Sequence, residues 1–167
     1  YEFMNSDEYL GGMSSDRPLK AFVPGGSSVP ILPANLIYKT AAGEDRLMTY
    51  ESLSDGGFAT GSMLGSGGFI VYNDTSCIVR NTWNFSRFYH HESCGQCTPC
   101  REGTGWLEKV LHRIENGHGR EEDIDLLLSI QRKIEGNTIC PLGDAASWPV
   151  AAAIRHFRDE FEYHIRF

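Results

Sequence analysis

No uninterrupted apolar stretch in this 167-residue sequence approaches the roughly 20 residues that a membrane-spanning helix needs. The first five residues, Tyr1 to Asn5, lack the basic and apolar regions of a signal peptide. No segment is rich in lysine and arginine, and a net charge of −7 gives phosphate backbones and anionic lipids little to bind. We therefore expect an intracellular chain with no nucleic-acid partner and no direct membrane insertion, whose partners are proteins or cofactors.

The sequence also lacks the common catalytic patterns. No Ser/His/Asp set and no pair of carboxylates has a spacing above chance. The glycine-rich segments at residues 24–28 and 65–68 fit neither the Walker spacing with its lysine nor Gly-x-Gly-x-x-Gly between a strand and a helix, so we interpret both as turns. We accordingly assign no catalytic residue to this chain.

Cysteine is scarce, but four of the five cysteines are grouped in a pattern. An odd number of cysteines in a chain without an export signal argues against a disulfide framework. Metal binding or redox chemistry is the better explanation for this pattern.

The first part of the chain, residues 1–73, is rich in glycine, proline and serine. Short apolar runs at residues 20–23, 36–39 and 68–72 stand between turn residues, and each suits a strand. We predict a small β-rich domain over residues 1–73.

Helical spacing dominates from Asp74 to the end of the sequence. Apolar residues recur at intervals of three and four in four successive segments, and the predicted helices have short connections. We predict that Asp74 or Thr75 caps the first helix and that Pro149 lies in the first turn of the fourth. The fold class is therefore α+β, with a four-helix bundle over residues 74–167. The four predicted apolar faces include Ile78, Thr82, Phe85 and Tyr89; Gly103, Trp106, Leu107, Val110, Leu111 and Ile114; Ile124, Leu127, Leu128 and Ile134; and Val150, Ala153, Ile154, Phe157 and Phe161.

The central motif places Cys94, Cys97 and Cys100 with two residues between neighbours, and Cys140 follows 40 positions later. A cubane iron–sulfur cluster needs four thiolates, and three cysteines at this spacing can reach three corners of one cube. Two antiparallel helices between Cys100 and Cys140 would return the chain to the same end of the bundle. We predict that these four cysteines bind one cluster, whose negative charge Arg101 and the helix N-termini offset.

Other interpretations of the cysteines remain open on the pattern alone. A structural zinc site has the right ligand count, although zinc cysteines are usually arranged as two separate pairs. A thioredoxin-like Cys-x-x-Cys pair would leave two cysteines unused. Cys77 lies outside the set, and we predict that it packs on the core side of the first helix. We do not assign His90 or His91 as ligands.

These motifs resemble the NADH-binding flavoprotein subunit of respiratory complex I, the F-type subunit of NADH-quinone oxidoreductase. The resemblance rests on His91-Glu92-Ser93-Cys94-Gly95-Gln96-Cys97-Thr98-Pro99-Cys100-Arg101-Glu102-Gly103 and on Thr138-Ile139-Cys140-Pro141-Leu142-Gly143-Asp144. Residues 20–28 resemble the β-grasp-type soluble ligand-binding domain of that family, incomplete at its start, and residues 154–158 resemble the last helix of its cluster-binding bundle.

The resemblance implies a [4Fe–4S] cluster on Cys94, Cys97, Cys100 and Cys140 that takes electrons from FMN reduced by NADH and passes them toward quinone. It implies partners among the peripheral-arm subunits, including a thioredoxin-like [2Fe–2S] subunit and a large iron–sulfur subunit. It also implies a peripheral position on the cytoplasmic side of a bacterial inner membrane or on the mitochondrial matrix side.

The family's glycine-rich domain for flavin and NADH is not found in these 167 residues, which we interpret as the C-terminal portion of the subunit. We therefore expect the enzymatic activity to belong to the whole subunit and not to this chain alone. Two alternatives stay open: the equivalent subunit of an NAD-linked hydrogenase or formate dehydrogenase, and a structural zinc-binding interaction module.

Overall fold

The computed structural model describes Met13, residues 17–35 and residues 61–167. The chain divides into two compact units, Tyr1–Ser76 and Cys77–Phe167. Each unit has its own secondary structure, and we describe them separately.

The first unit contains a three-stranded antiparallel sheet. Its strands are β1 (Leu19–Val23), β2 (Leu32–Pro33) and β3 (Ile70–Asn73), in the order β2-β1-β3. Leu19, Phe22 and Leu32 form the buried apolar cluster of this sheet.

Two of the three strand predictions can be compared with the sheet. The strand predicted at residues 20–23 is confirmed as β1, and the one at 68–72 is present as β3, which begins later, at Ile70. The strand predicted at 36–39 lies outside the described residues. No sequence pattern indicates β2, because two residues ending in proline are too short to show an alternation.

The second unit consists of four helices, as the apolar spacing predicts. They are α1 (Ile78–Glu92), α2 (Thr98–Glu115), α3 (Asp123–Ile134) and α4 (Leu142–Arg166). Helix α1 packs against α2 and α4, and α3 packs against α2 and α4. The α+β class is confirmed. Within the part of the chain that the structure describes, no helix is long and apolar enough to cross a membrane.

The N-terminus of α1 differs from the prediction. Cys77 is the N-cap, and its sulfur accepts a hydrogen bond from the Arg80 amide at 3.4 Å. The two predicted caps have other partners: the Asp74 carboxylate accepts two hydrogen bonds from Arg17, and the Thr75 hydroxyl donates to Asn73 Oδ1. The prediction of Asp74 or Thr75 as the cap is therefore wrong, and Cys77 is only partly buried.

Helix α4 begins earlier than the prediction, at Leu142, so Pro149 lies inside the helix and not in its first turn. The buried face of the first two turns includes Gly143, Ala146 and Ser147. These small residues produce no apolar stripe that a hydrophobic period could reveal. The helix is interrupted once, at Phe157, whose φ of −136° and ψ of 34° are not helical.

The core of the helical unit is filled by apolar side chains from all four helices. A Cβ added at Gly103 in α2 would lie 2.6 Å from Ile134 Cγ1 in α3, so glycine allows these two helices to approach closely. The largest fully buried side chains of this unit are Phe161, Ile78, Leu107, Leu111, Ile114, Ile124, Leu127, Ile134 and Val79.

Candidate metal centre

The four predicted ligands lie in or next to two connections of the helical unit. Cys94 is exposed in the loop between α1 and α2, Cys97 is the N-cap of α2, and Cys100 is buried in the first turn of that helix. Cys140 is exposed in the connection from α3 to α4, two residues before α4 begins. None of these cysteines forms a disulfide.

A direct hydrogen bond joins the two connections. The backbone N–H of Ile139 donates to Cys97 Sγ at 3.4 Å, across 42 positions of sequence. Since Ile139 precedes Cys140, this contact brings the second cysteine segment against the N-terminus of α2. Hydrogen bonds to cysteine sulfurs are one of the ways in which a protein tunes an iron–sulfur cluster.

A serine hydroxyl lies beside the buried cysteine of the triplet. Ser93 Oγ and Cys100 Sγ are 3.2 Å apart, and the same hydroxyl accepts a hydrogen bond from the Gly95 amide at 3.3 Å. Gly95 itself has a φ of +76°, in the left-handed region that favours glycine. The loop therefore turns tightly between Cys94 and Cys97.

Positive charge is placed on this loop by Arg101. Its guanidinium donates to the Gly95 carbonyl at 2.9 Å and to Glu102 Oε1 at 3.0 Å. The N-terminus of α2 adds a partial positive charge at Cys97, and the N-terminus of α4 adds another beside Cys140. A negatively charged group bound by thiolates would be stabilised at this end of the unit.

Three side-chain hydrogen bonds fix the connection that contains Cys140. Thr138 Oγ1 donates to the Cys140 carbonyl at 2.9 Å, and Asp144 Oδ1 accepts from the Gly136 amide at 2.7 Å. The indole Nε1 of Trp148 donates to Glu135 Oε1 at 2.7 Å. These bonds tie the end of α3 to the first turns of α4.

Replacing Gly143 with alanine should loosen the Cys140 segment. The new Cβ would lie 2.6 Å from Thr138 Cγ2 and closer still to Thr138 Oγ1, so the threonine that bonds the Cys140 carbonyl must move. Overpacking of this kind costs about 1–3 kcal/mol of unfolding free energy. With a cluster assembled in the chain, we expect iron release to an external chelator, measured by absorbance, to become severalfold faster.

The matched control for this variant is Gly117→Ala at the end of α2. Gly117 has a φ of +73°, and an added Cβ there meets no atom within 4 Å. Its cost is backbone strain of about 1 kcal/mol, far from the cysteines along the helix. If Gly117→Ala accelerates iron release as much as Gly143→Ala does, the effect is general destabilisation and not a displaced loop.

The two histidines that precede the cysteine loop have ordinary surroundings. His90 Nδ1 lies 2.5 Å from Glu108 Oε2, which ties α1 to α2, and the His91 side chain is 87% exposed. Among the hydrogen bonds of the described residues, neither histidine is bonded to a cysteine of the predicted set.

Sequence reasoning missed three groups that shape this site: the Ser93 hydroxyl, the Thr138 hydroxyl and the Ile139 amide. The hydroxyls could have been noticed because each lies one or two residues from a cysteine of the motif. No sequence pattern reports the Ile139 amide, since its acceptor is far away along the chain.

The residues present fit an iron–sulfur cluster. Four free thiols are available in two connected loops, with backbone N–H groups, helix N-termini and a guanidinium around them. Two of the cysteines, Cys94 and Cys140, are exposed, so both residues can be reached from solvent. Thiolates with N–H donors and nearby positive charge are the surroundings that such clusters require.

Comparison with known proteins shows the family to which residues 80–164 belong. The family model described as NADH-ubiquinone oxidoreductase-F iron-sulfur binding region matches residues 80–164, which is half of the chain. A protein of Rickettsia typhi, named as the F subunit of NADH-quinone oxidoreductase, is 47% identical over 161 residues, and that of Rickettsia bellii strain OSU 85-389 is 49% identical. The aligned part is 96% of this chain but 36% of each relative. The chain thus spans about a third of their length.

A solved structure is similar as well. One chain of an NAD+-reducing [NiFe]-hydrogenase, in its H2-reduced state, superposes with a TM-score of 0.72 at 28% identity. The superposition covers 89% of this chain and 24% of the hydrogenase chain. The fold of this chain is therefore similar to that of part of the hydrogenase chain.

Proposed function

This chain belongs to the family of NADH-ubiquinone oxidoreductase-F iron–sulfur binding regions, and we propose that it carries the electron-relay site of an NADH:quinone oxidoreductase. Cys94, Cys97, Cys100 and Cys140 are the proposed ligands of its [4Fe–4S] cluster. The hydrogen bond from the Ile139 amide to Cys97 Sγ carries the assignment, because it brings the segment of the fourth cysteine to the other three.

When bound, the cluster supplies one-electron transfer. The chain's own groups hold and surround it. Ser93 Oγ lies 3.2 Å from Cys100 Sγ and the Ile139 amide donates to Cys97 Sγ, so each sulfur has a polar neighbour that can support a bound cluster. Arg101 and the two helix N-termini offset negative charge. No acid or base is needed, since the relay requires position and electrostatics and no proton transfer by a side chain.

The activity of the whole protein follows as part of the same proposal. The relatives are named as F subunits of NADH-quinone oxidoreductase, and we propose that the remainder of such a protein binds FMN and NADH. The partners would be other peripheral-arm subunits, among them a thioredoxin-like [2Fe–2S] subunit and a large iron–sulfur subunit. The assembly would lie on the cytoplasmic or matrix side of the inner membrane.

The second candidate is the equivalent subunit of an NAD-linked hydrogenase. The similarity to the hydrogenase structure favours it, although that chain is 28% identical and the quinone-linked relatives are 47% and 49% identical. Copurification of the full-length protein with its complex decides between them. A nickel-containing partner subunit would indicate the hydrogenase, and a quinone-reducing assembly would indicate the proposed function.

Anaerobic reconstitution of the 167-residue chain with iron and sulfide tests the cluster itself. We expect about four iron and about four sulfide per chain, and an electron paramagnetic resonance (EPR) signal of a reduced cubane after treatment with dithionite. NADH alone should leave the cluster oxidised, because we assign no flavin site to these residues. A chain that takes up zinc at the four cysteines and assembles no sulfide would instead be a structural zinc module.

A further inference from the structure

A second group of metal-binding side chains lies away from the predicted cluster. Cys77, Glu115 and His164 each offer one ligand atom, and the three atoms lie within 4.8 Å of one another. Cys77 precedes α1, Glu115 is the last residue of α2, and His164 is near the end of α4. The cysteine loop is at the other ends of α1 and α2, about 20–27 Å away along helices of this length.

We propose that Cys77, Glu115 and His164 bind a single Zn²⁺ ion, separate from the iron–sulfur cluster. Cys77 Sγ is 3.3 Å from His164 Nε2 and 3.9 Å from Glu115 Oε2. Zinc bonds of about 2.3 Å to sulfur and about 2.0–2.1 Å to nitrogen or oxygen place tetrahedral ligands about 3.3–3.6 Å apart. The side chains therefore need only small movements to share one ion, with water as the fourth ligand.

The kind of donor selects the ion. A thiolate, an imidazole and a carboxylate are the three ligand types that zinc uses in proteins, whereas calcium and magnesium prefer oxygen alone. His164 Nδ1 lies 3.7 Å from Glu115 Oε2, so the imidazole and the carboxylate are adjacent. All three residues are partly buried, which keeps the site reachable from solvent and restricts its side chains.

The local charge favours a cation. Glu160 adds a second carboxylate, which accepts a hydrogen bond from the Ile78 amide at 3.1 Å, next to Cys77. Burial raises the pKa of the Cys77 thiol, and the charges of Glu115 and Glu160 act in the same direction. Binding of Zn²⁺ would form the sulfur–zinc bond as the thiol proton passes to solvent.

The ion would fasten three chain segments together. It would join the start of α1 to the last turns of α2 and α4, at the end of the bundle remote from the cluster. Binding to the folded state alone stabilises a protein in proportion to the logarithm of ligand concentration over the dissociation constant. Zinc should therefore raise the midpoint of thermal unfolding.

The experiment titrates Zn²⁺ into the full chain with its cluster already assembled, against a chromophoric zinc chelator. We expect one zinc per chain. Cys77→Ser and His164→Gln should each weaken binding more than about 100-fold, because even residues that only orient a ligand contribute about 10- to 100-fold. The matched control, His91→Gln, removes an exposed histidine outside the group and should change the dissociation constant less than about 2-fold.

X-ray absorption at the zinc edge supplies a test that needs no variant. The proposed site gives one sulfur scatterer with nitrogen and oxygen neighbours, whereas zinc in place of the cluster gives three or four sulfurs. Circular dichroism and the EPR signal of the reduced cluster report whether each variant still folds. Absence of stoichiometric zinc, a sulfur-rich zinc shell, or full-strength binding by folded Cys77→Ser would each overturn the proposal.

Discussion

Serine in place of Cys140 should abolish the EPR signal of the reduced [4Fe–4S] cluster. A cubane bound by protein needs a ligand at each of four corners, and the cysteine triplet can supply three. The proposed fourth ligand, Cys140, lies in a separate connection, where the neighbouring Ile139 amide donates a hydrogen bond to Cys97 Sγ. We expect the reduced-cubane signal per chain to fall at least about tenfold after reconstitution, and Cys140→Ala, which offers no oxygen ligand, to behave alike.

The matched control is Cys77→Ser, which makes the same sulfur-to-oxygen change at the residue before α1, away from the cysteine loop. It should keep its iron, its sulfide and its EPR signal. Far-UV circular dichroism of both variants separates loss of the cluster from loss of the helices. A Cys140→Ser chain that retains the full cubane signal would remove Cys140 from the ligand set and would leave the relay without its fourth ligand.

The largest loss of stability should follow Arg113→Met. Arg113 in α2 donates to both carboxylate oxygens of Asp123, at the start of α3, with Nε at 2.8 Å from Oδ2. This hydrogen bonding raises the pKa of Arg113. The Asp123 side chain is fully buried. In the variant its carboxylate keeps the hydrogen bond from the Arg120 amide, at 2.9 Å, but loses the positive charge of Arg113. Leaving a buried charge without its partner costs about 3–5 kcal/mol.

Because Arg113 is about one-third exposed, water can reach the gap, and we expect the lower end of this range, about 3 kcal/mol. For a helical unit of this size that is a fall in unfolding midpoint of roughly 12–24 °C. Differential scanning calorimetry measures it directly. Arg132→Met, an exposed arginine of α3, is the control and should cost less than about 0.5 kcal/mol.

Removing the other partner of this ion pair should cost less stability. Asp123→Ala removes the buried charge and leaves Arg113, which can turn toward solvent. We expect a loss of about 1–3 kcal/mol, the cost of broken hydrogen bonds and not of an isolated charge. An Asp123→Ala variant less stable than Arg113→Met would mean that the carboxylate has another source of compensation in the folded unit.

The helices could be predicted from sequence because their apolar residues recur with the helical period. Ile124, Leu127 and Ile134, for example, are all buried on one face of α3. Helix termini were harder to predict. Cys77 caps α1, whereas Asp74 pairs with Arg17, 57 positions away. The small residues of the first turns of α4 leave no apolar pattern.

The parts of the candidate site that lie close together along the chain could be predicted from the sequence. The spacing of Cys94, Cys97 and Cys100 places three thiols within one short segment, residues 94–100. Arg101 could be noticed for the same reason, and its contact with Gly95 spans six positions. Thr138 and the Ile139 amide could not be assigned roles, because what they do depends on how the Cys140 segment folds.

The sequence alone shows the cysteine triplet, the helical period and the family, because each depends on residues close together along the chain. Which distant residues meet depends on the folded chain. The Ile139 amide reaches Cys97 Sγ across 42 positions, and His164 reaches Cys77 across 87. Helix packing determines these long-range contacts. It depends on how buried side chains such as Leu111 and Phe161 fit together, and no local sequence pattern shows which of them are neighbours.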